Sequence, residues 1–177
     1  EYEWIATDNS DVPVADVTIT PQANNRSVLV NFPVPGSYTT RIRKIRVRSI
    51  YSAGQTCPSN YRDVTVTVFG PSQATTINPV TQTICDGDAV TSITASGLRG
   101  TIQGWERSVN GGGFVADGTL GVANPITPSV PLVAGVQTTY RYRAVVQNGT
   151  CAAVTSPQAT IIVNPIPPKP TITPSGA

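Results

Sequence analysis

Apolar and polar residues alternate with a period of two in several short runs of this chain, and turn residues separate the runs. TTYRYRAVVQ (138–147), ATIIV (159–163), IQGWERSV (102–109), AVTSITASG (89–97) and NPITPSVPL (124–132) each read as a strand with one face turned inward. The dipeptides Asn110-Gly111 and Asn148-Gly149 suit tight hairpins, whose two central residues both need positive φ. On this pattern Trp105 faces a core between two sheets, together with Ile93, Tyr140, Tyr142 and Val146. In TTRIRKIRVRSIY (39–51) the alternation slips by one residue, because Arg41 and Arg43 carry odd numbers while Arg46 and Arg48 carry even ones. A bulge near Lys44 restores the register, and without it Ile42 lies on the opposite face from Ile45 and Val47.

Comparison of the chain with itself shows a period. IRVRSIYSAGQTC (45–57) matches YRYRAVVQNGTC (140–151), with Arg46 and Arg48 falling 95 residues before Arg141 and Arg143 and the cysteines 94 residues apart. Downstream, DVTVTVFGPSQATTINP (63–79) is answered by QATIIVNPIPPKPTITP (158–174) in the same order of strand, Pro-rich link and new strand. YEWIAT (2–7) carries Trp4 as GWERSV carries Trp105. Three units follow from this: 1–69 as the later part of one repeat, 70–164 as a complete repeat, and 165–177 as a linker and the start of a third. A counterpart of Cys85 is then expected near position 180.

Composition supports β-structure. Helix formers are scarce, with no Met, two Lys and three Glu, whereas Thr, Val and Ile abound and Gly plus Pro number 31. A net charge of +2 and the alternation itself argue against disorder. No run approaches the roughly 18 apolar residues of a membrane helix, and no charged-then-apolar leader opens the chain, so any export signal or anchor is expected outside this segment. Cys57, Cys85 and Cys151 form no C-x-x-C pair, which leaves a zinc site unsupported and favours a structural disulfide in an oxidising compartment.

The C-x-G of Cys85 to Gly87, the strand with Trp105, the block TTYRYRAVVQNGTC (138–151) and the closing ATIIVNP (159–165) together resemble the Ig-like and PKD-like repeats of large Bacteroidota surface proteins. PGSY (35–38) resembles the PG-x-Y turn of PKD-like domains. The resemblance implies an all-β fold of tandem immunoglobulin-like (PKD-like) β-sandwiches. It also implies an exported, outer-membrane-associated adhesin at the cell surface, of the kind displayed for gliding motility and exported by type IX secretion. Its partners would be neighbouring repeats, extracellular polysaccharide or surfaces, and the export and motility machinery. It further implies a disulfide between Cys85 and Cys151, and a partner for Cys57 upstream of Glu1.

Catalytic chemistry finds little support. The chain contains no His, which removes Ser-His-Asp and Cys-His arrangements along with the commonest zinc ligand. Carboxylate pairs drawn from Asp86 and Asp88, or from Asp8, Asp11 and Asp16, lie in turn-like sequence. Asp86 and Asp88 are also the candidates for Ca²⁺, against a simpler role in turn capping, and no other cofactor is expected. Arg41, Arg43, Arg46 and Arg48, with Lys44, form a basic run that could meet a polyanion, against a role as the solvated face of one strand. Aromatic residues are not interleaved with the arginines, so no nucleic-acid partner is expected. Gly111 to Gly113 lack the Lys-Ser/Thr of a phosphate cradle and read as a hairpin turn. Asn25-Arg26-Ser27 and Asn148-Gly149-Thr150 match the glycosylation sequon, a match that the bacterial origin implied by the resemblance would make incidental, and PIPPKP (165–170) reads as a stiff linker. The sequence therefore points to a non-catalytic stalk or spacer, with a carbohydrate- or surface-binding module as the alternative.

Overall fold

A computed structural model describes residues 1–23, 25–32, 40–50 and 57–171. The PGSY turn and the residues after Thr171 lie outside the described residues. The fold is all-β, with thirteen strands and no helix among the described residues. In consequence no helix among the described residues is long and apolar enough to cross a membrane. The chain divides into two compact units, Glu1–Pro71 with Gly149–Cys151, and Ser72–Asn148 with Ala152–Ala177.

The second unit is a sandwich. Its larger sheet has the order β10 (Val115–Ala116), β9 (Thr101–Val109), β11 (Thr138–Gln147), β13 (Ala159–Asn164) and β7 (Thr81–Cys85), with β12 (Val154–Thr155) also on β11. Neighbours are antiparallel except β7, which runs parallel to β13 and pairs Thr81 with Thr160 and Cys85 with Asn164. The smaller sheet is β6 (Thr76–Asn78) on β8 (Thr94–Ser96), extended by a single bridge between Ile93 and Ile126.

Strict alternation builds the core. Thr138, Tyr140, Tyr142, Ala144 and Val146 of β11 and Ala159, Ile161 and Val163 of β13 are all buried, as the period of two requires of a half-buried sheet. They close on Ile77, Ile93, Ala95, Ile126 and Trp105. The five core residues expected from the sequence are among these. Trp105 satisfies its indole N–H by donating to the Ala123 carbonyl at 2.8 Å, so a large apolar ring is buried without stranding a donor.

Parity changes in β9 rather than in β4. The pairing of β9 with β11 shifts between Val145 and Val146, which oppose Gly104 and Ile102, so Gln103 is the extra residue of a bulge. That bulge lets Ile102 and Trp105, three apart, both point inward.

Two expected features of this unit are corrected. NPITPSVPL is not a strand beyond the Ile126 bridge. Instead the Asn124 side chain stands in for a neighbouring strand, accepting from Ala95 N at 3.0 Å and donating to Ala95 O at 2.9 Å. Asn110-Gly111 forms the expected turn, with φ of 48° and 79° and Gly112 N bonded to Val109 O, but in Asn148-Gly149 only Gly149 has positive φ.

In the first unit a three-stranded antiparallel sheet has the order β1 (Tyr2–Thr7), β4 (Thr40–Ser49) and β5 (Arg62–Phe69), beside the hairpin β2 (Thr18–Pro21) and β3 (Val28–Asn31). Trp4 Nε1 donates to Asn25 O, as Trp105 does to Ala123 O. The expected bulge near Lys44 is absent, because β4 pairs without interruption from Thr40 with Phe69 to Val47 with Arg62. Ile42 therefore shares a face with Lys44, Arg46 and Arg48 and is 41% exposed, while Ile45 on the other face is buried. The registers of the two units also differ: Trp4 pairs with Val47, whereas Trp105 pairs with Ala144, two positions beyond the sequence counterpart of Val47. A two-residue slide preserves which side chains point inward, and this is why alternation survives it.

Candidate functional site

The uninterrupted register of β4 splits the basic run between two faces. Arg41 and Arg43 project to the side of Ile45, where both meet Asp16, Arg41 at 2.7 Å and Arg43 at 2.5 Å. Lys44, Arg46 and Arg48 project to the other side. There Lys44 pairs with Asp11 at 2.8 Å, Arg46 with Asp11 and Asp63, and Arg48 with Glu3. The pairing is cross-strand, since Arg48 lies opposite Glu3 on β1 and Arg46 opposite Asp63 on β5. Tyr61 spreads its ring under both guanidinium groups, at 4.8 Å from Arg46 and 4.6 Å from Arg48, and its hydroxyl reaches Glu3.

These contacts shift the titrations. The hydrogen bond from Arg48 holds the Glu3 carboxyl below its usual value, Lys44 does the same to Asp11, and Arg43 to Asp16. Partial burial, and then the nearby Glu3, push the Tyr61 phenol up. The arginines named as a candidate surface-binding run are thus each engaged by a carboxylate of their own unit. Glu3, Asp11, Asp16 and Asp63 carry no recognisable motif and were not singled out as their partners. The signal that could have found Glu3 and Asp63 is strand pairing, which places a glutamate and an aspartate directly across from two arginines.

The second unit carries one ion pair of the same design, Arg143 with Glu106 at 2.6 Å across β11 and β9, with Phe114 under the guanidinium. Arg107 pairs with the buried Asp117 at 3.3 Å, and Asp117 also accepts from Thr119. Asp86 and Asp88 stand apart from these. They line a cleft of about 300 Å³ whose other walls include Ile84, Val90, Val130 and Pro131, at the end of the sandwich where β7 finishes. Asp88 accepts from Cys85 N at 2.9 Å and so caps the turn after β7. Among the described residues no three His, Cys, Asp or Glu side chains converge as a metal site would need. Asp8 likewise caps a turn, accepting from Ser10 N and Val12 N.

Among the described residues no disulfide joins Cys85 to Cys151, the pair implied by the resemblance. Topology gives the reason. Cys85 ends β7 opposite Asn164, level with Thr138 at the start of β11, whereas Cys151 follows Gln147 at the far end of β11. Ten residues of strand span about 30 Å. A disulfide holds its two Cα atoms within about 7 Å. Cys151 instead lies 3.4 Å from the Gly70 carbonyl.

A family described as a domain of unknown function (DUF8696) matches residues 73–165, the span of the sandwich from just before β6 to the end of β13. The chain belongs to this family. No curated protein matches it.

Proposed function

We propose that the chain is a non-catalytic stalk or spacer segment of an exported cell-surface adhesin built from tandem Ig-like, PKD-like sandwiches, acting in surface attachment or gliding motility. The observation that supports this best is the engagement of the basic run. Arg41, Arg43, Lys44, Arg46 and Arg48 are each held by carboxylates of the same unit, so the charge of β4 ties its own sheet together. A strand neutralised in this way suits a scaffold whose neighbours are further copies of itself. The surface location is what the sequence resemblance implies. Passage of the chain over immobilised sulfated polysaccharide at about 0.15 M salt tests the reading, since an internally paired strand is expected to be unretained. Retention that falls steeply with salt and is lost in R46Q/R48Q would overturn it.

One observation favours a second reading, a binding module acting through the end of the sandwich. Of the four acidic side chains in the second unit, Glu106 and Asp117 are in ion pairs, while Asp86 and Asp88 have no cationic partner among the described residues and share the cleft. A ligand with a cationic group, or Ca²⁺, would suit that position. Binding abolished by D86N/D88N, with the turn cap retained by the asparagine oxygen, would favour this reading over the first.

A further inference from the structure

The chain enters and leaves the second unit at opposite ends. Ser72 and Gln73 stand at the end of β11 that carries Gln147. There the Asn148 N–H donates to Ser72 Oγ at 2.9 Å, and Gln73 exchanges both backbone hydrogen bonds with Arg99, just before the Thr101 that pairs with Gln147. Asn164, where β13 stops, stands at the other end, next to the pairing of Val163 with Thr138. The ten residues of β11 put about 30 Å between these ends. Tension carried along the backbone therefore acts along the strands and not across them.

The first and last segments of the unit are bonded so that such tension slides them past one another. β7 and β13 run parallel, and the bonds that flank their ladder, Thr160 N to Val80 O at 2.8 Å and Asp86 N to Asn164 O at 2.9 Å, fix its pattern. Thr160, Ile162 and Asn164 each bond β7 through both N–H and C=O. A pull on β13 from its C-terminal end and on β7 from its N-terminal end loads all of these bonds together, in shear. Antiparallel neighbours joined as a hairpin would bring entry and exit to one end of the pair, and their bonds would open one at a time. Both segments are also anchored elsewhere. β13 pairs with β11 on its other edge and buries Ala159, Ile161 and Val163 in the core, while the entering segment pairs with β8 as β6 and buries Ile77.

We propose that the second unit is a force-bearing module, in which the parallel β7–β13 ladder is the clamp that holds the sandwich closed against tension along the chain. The proposal rests on the stalk reading for the source of that tension, because a stalk is pulled from both ends. It adds a function that a passive spacer does not need.

The test is single-molecule stretching of the full chain in two geometries at one pulling speed, with Cys57, Cys85 and Cys151 replaced by Ser in both. Handles at the two termini load the unit in shear, and its event is recognised by the release of 92 residues (164 − 72), about 300 Å of contour. Handles on Val80→Cys and Gln158→Cys, two exposed positions at one end of the ladder, peel β7 from β13 instead. Unfolding then releases 78 residues (158 − 80), about 260 Å. The expected result is a rupture force several-fold higher along the chain than in the peeling geometry. Equal forces, or a lower one along the chain, overturn the proposal. Thr160→Pro deletes the bond to Val80 O from an N–H that points away from β11, and is expected to lower the force along the chain. A folded T160P chain that ruptures at the wild-type force overturns the proposal as well. Neither result bears on polysaccharide retention, so the clamp and the stalk reading fail separately.

Discussion

Asn124 is the residue whose replacement asks most of this account, because its side chain does the work of a missing strand. Both of its hydrogen bonds end on the backbone of Ala95, a residue only 2% exposed. Truncation in N124A removes two bonds of about 0.5–1.5 kcal/mol each. Where water cannot reach the freed groups the cost is instead about 1–3 kcal/mol for each of the two, so a loss of about 2–6 kcal/mol is expected. N124D tests the direction of the bonds: its carboxylate can still accept from Ala95 N but sets a second oxygen against the Ala95 carbonyl. It is therefore expected to be no more stable than N124A. Urea unfolding followed by Trp105 fluorescence, in a chain with Trp4→Phe so that only the second unit reports, measures both. At about 2 kcal/mol/M the midpoint should fall by about 1–3 M. The segment that carries Asn124 also holds the indole of Trp105 through Ala123 O, so a red-shifted emission is expected before unfolding. A loss under about 0.5 kcal/mol in N124A, or an N124D variant as stable as the wild type, would refute the reasoning.

Three further outcomes follow from the geometry. Ile42→Thr is expected to change stability by less than about 0.5 kcal/mol, whereas Ile45→Ala should cost about 2–4 kcal/mol, and reversal of that order in thermal melts would restore a bulge to β4. Glu3, Asp11 and Asp16 titrate below their ordinary values in the folded chain, so their contribution is fully present above the unfolded values and is lost as pH falls through the folded ones. The first unit should therefore melt at lower temperature from about pH 4 downward, and E3Q/D11N/D16N should flatten that slope; an unchanged slope in the triple variant contradicts it. Non-reducing peptide maps should recover Cys57, Cys85 and Cys151 as alkylated thiols, and a linked Cys85–Cys151 peptide would mean that the sheet in solution differs from that described.

What the sequence disclosed depended on whether a residue's role is local. β11 and β13 alternate without a break over ten and six residues, so their inward faces, the burial of Trp105 and the Asn110-Gly111 turn were all readable from period and turn chemistry. The bulge was foreseen in the wrong strand. A slip in the charges of β4 looked like a defect in register, yet arginines are long enough to find carboxylates on either face and need no common side. Ile102 and Trp105 cannot both reach the core of an unbroken strand, and their spacing was the informative slip. The placing of the cysteines is a different matter: cysteines near turns at both ends of a repeat say nothing about which end of the sheet each turn occupies, and that depends on the direction of β7. Asn124 was unreadable because a polar side chain that pairs with backbone leaves no period at all. The place of β13 between β11 and β7 belongs to the same class: its sequence specifies a strand, but that the strand is central depends on a pairing made by residues elsewhere. The chain therefore encodes its faces locally and its edges globally.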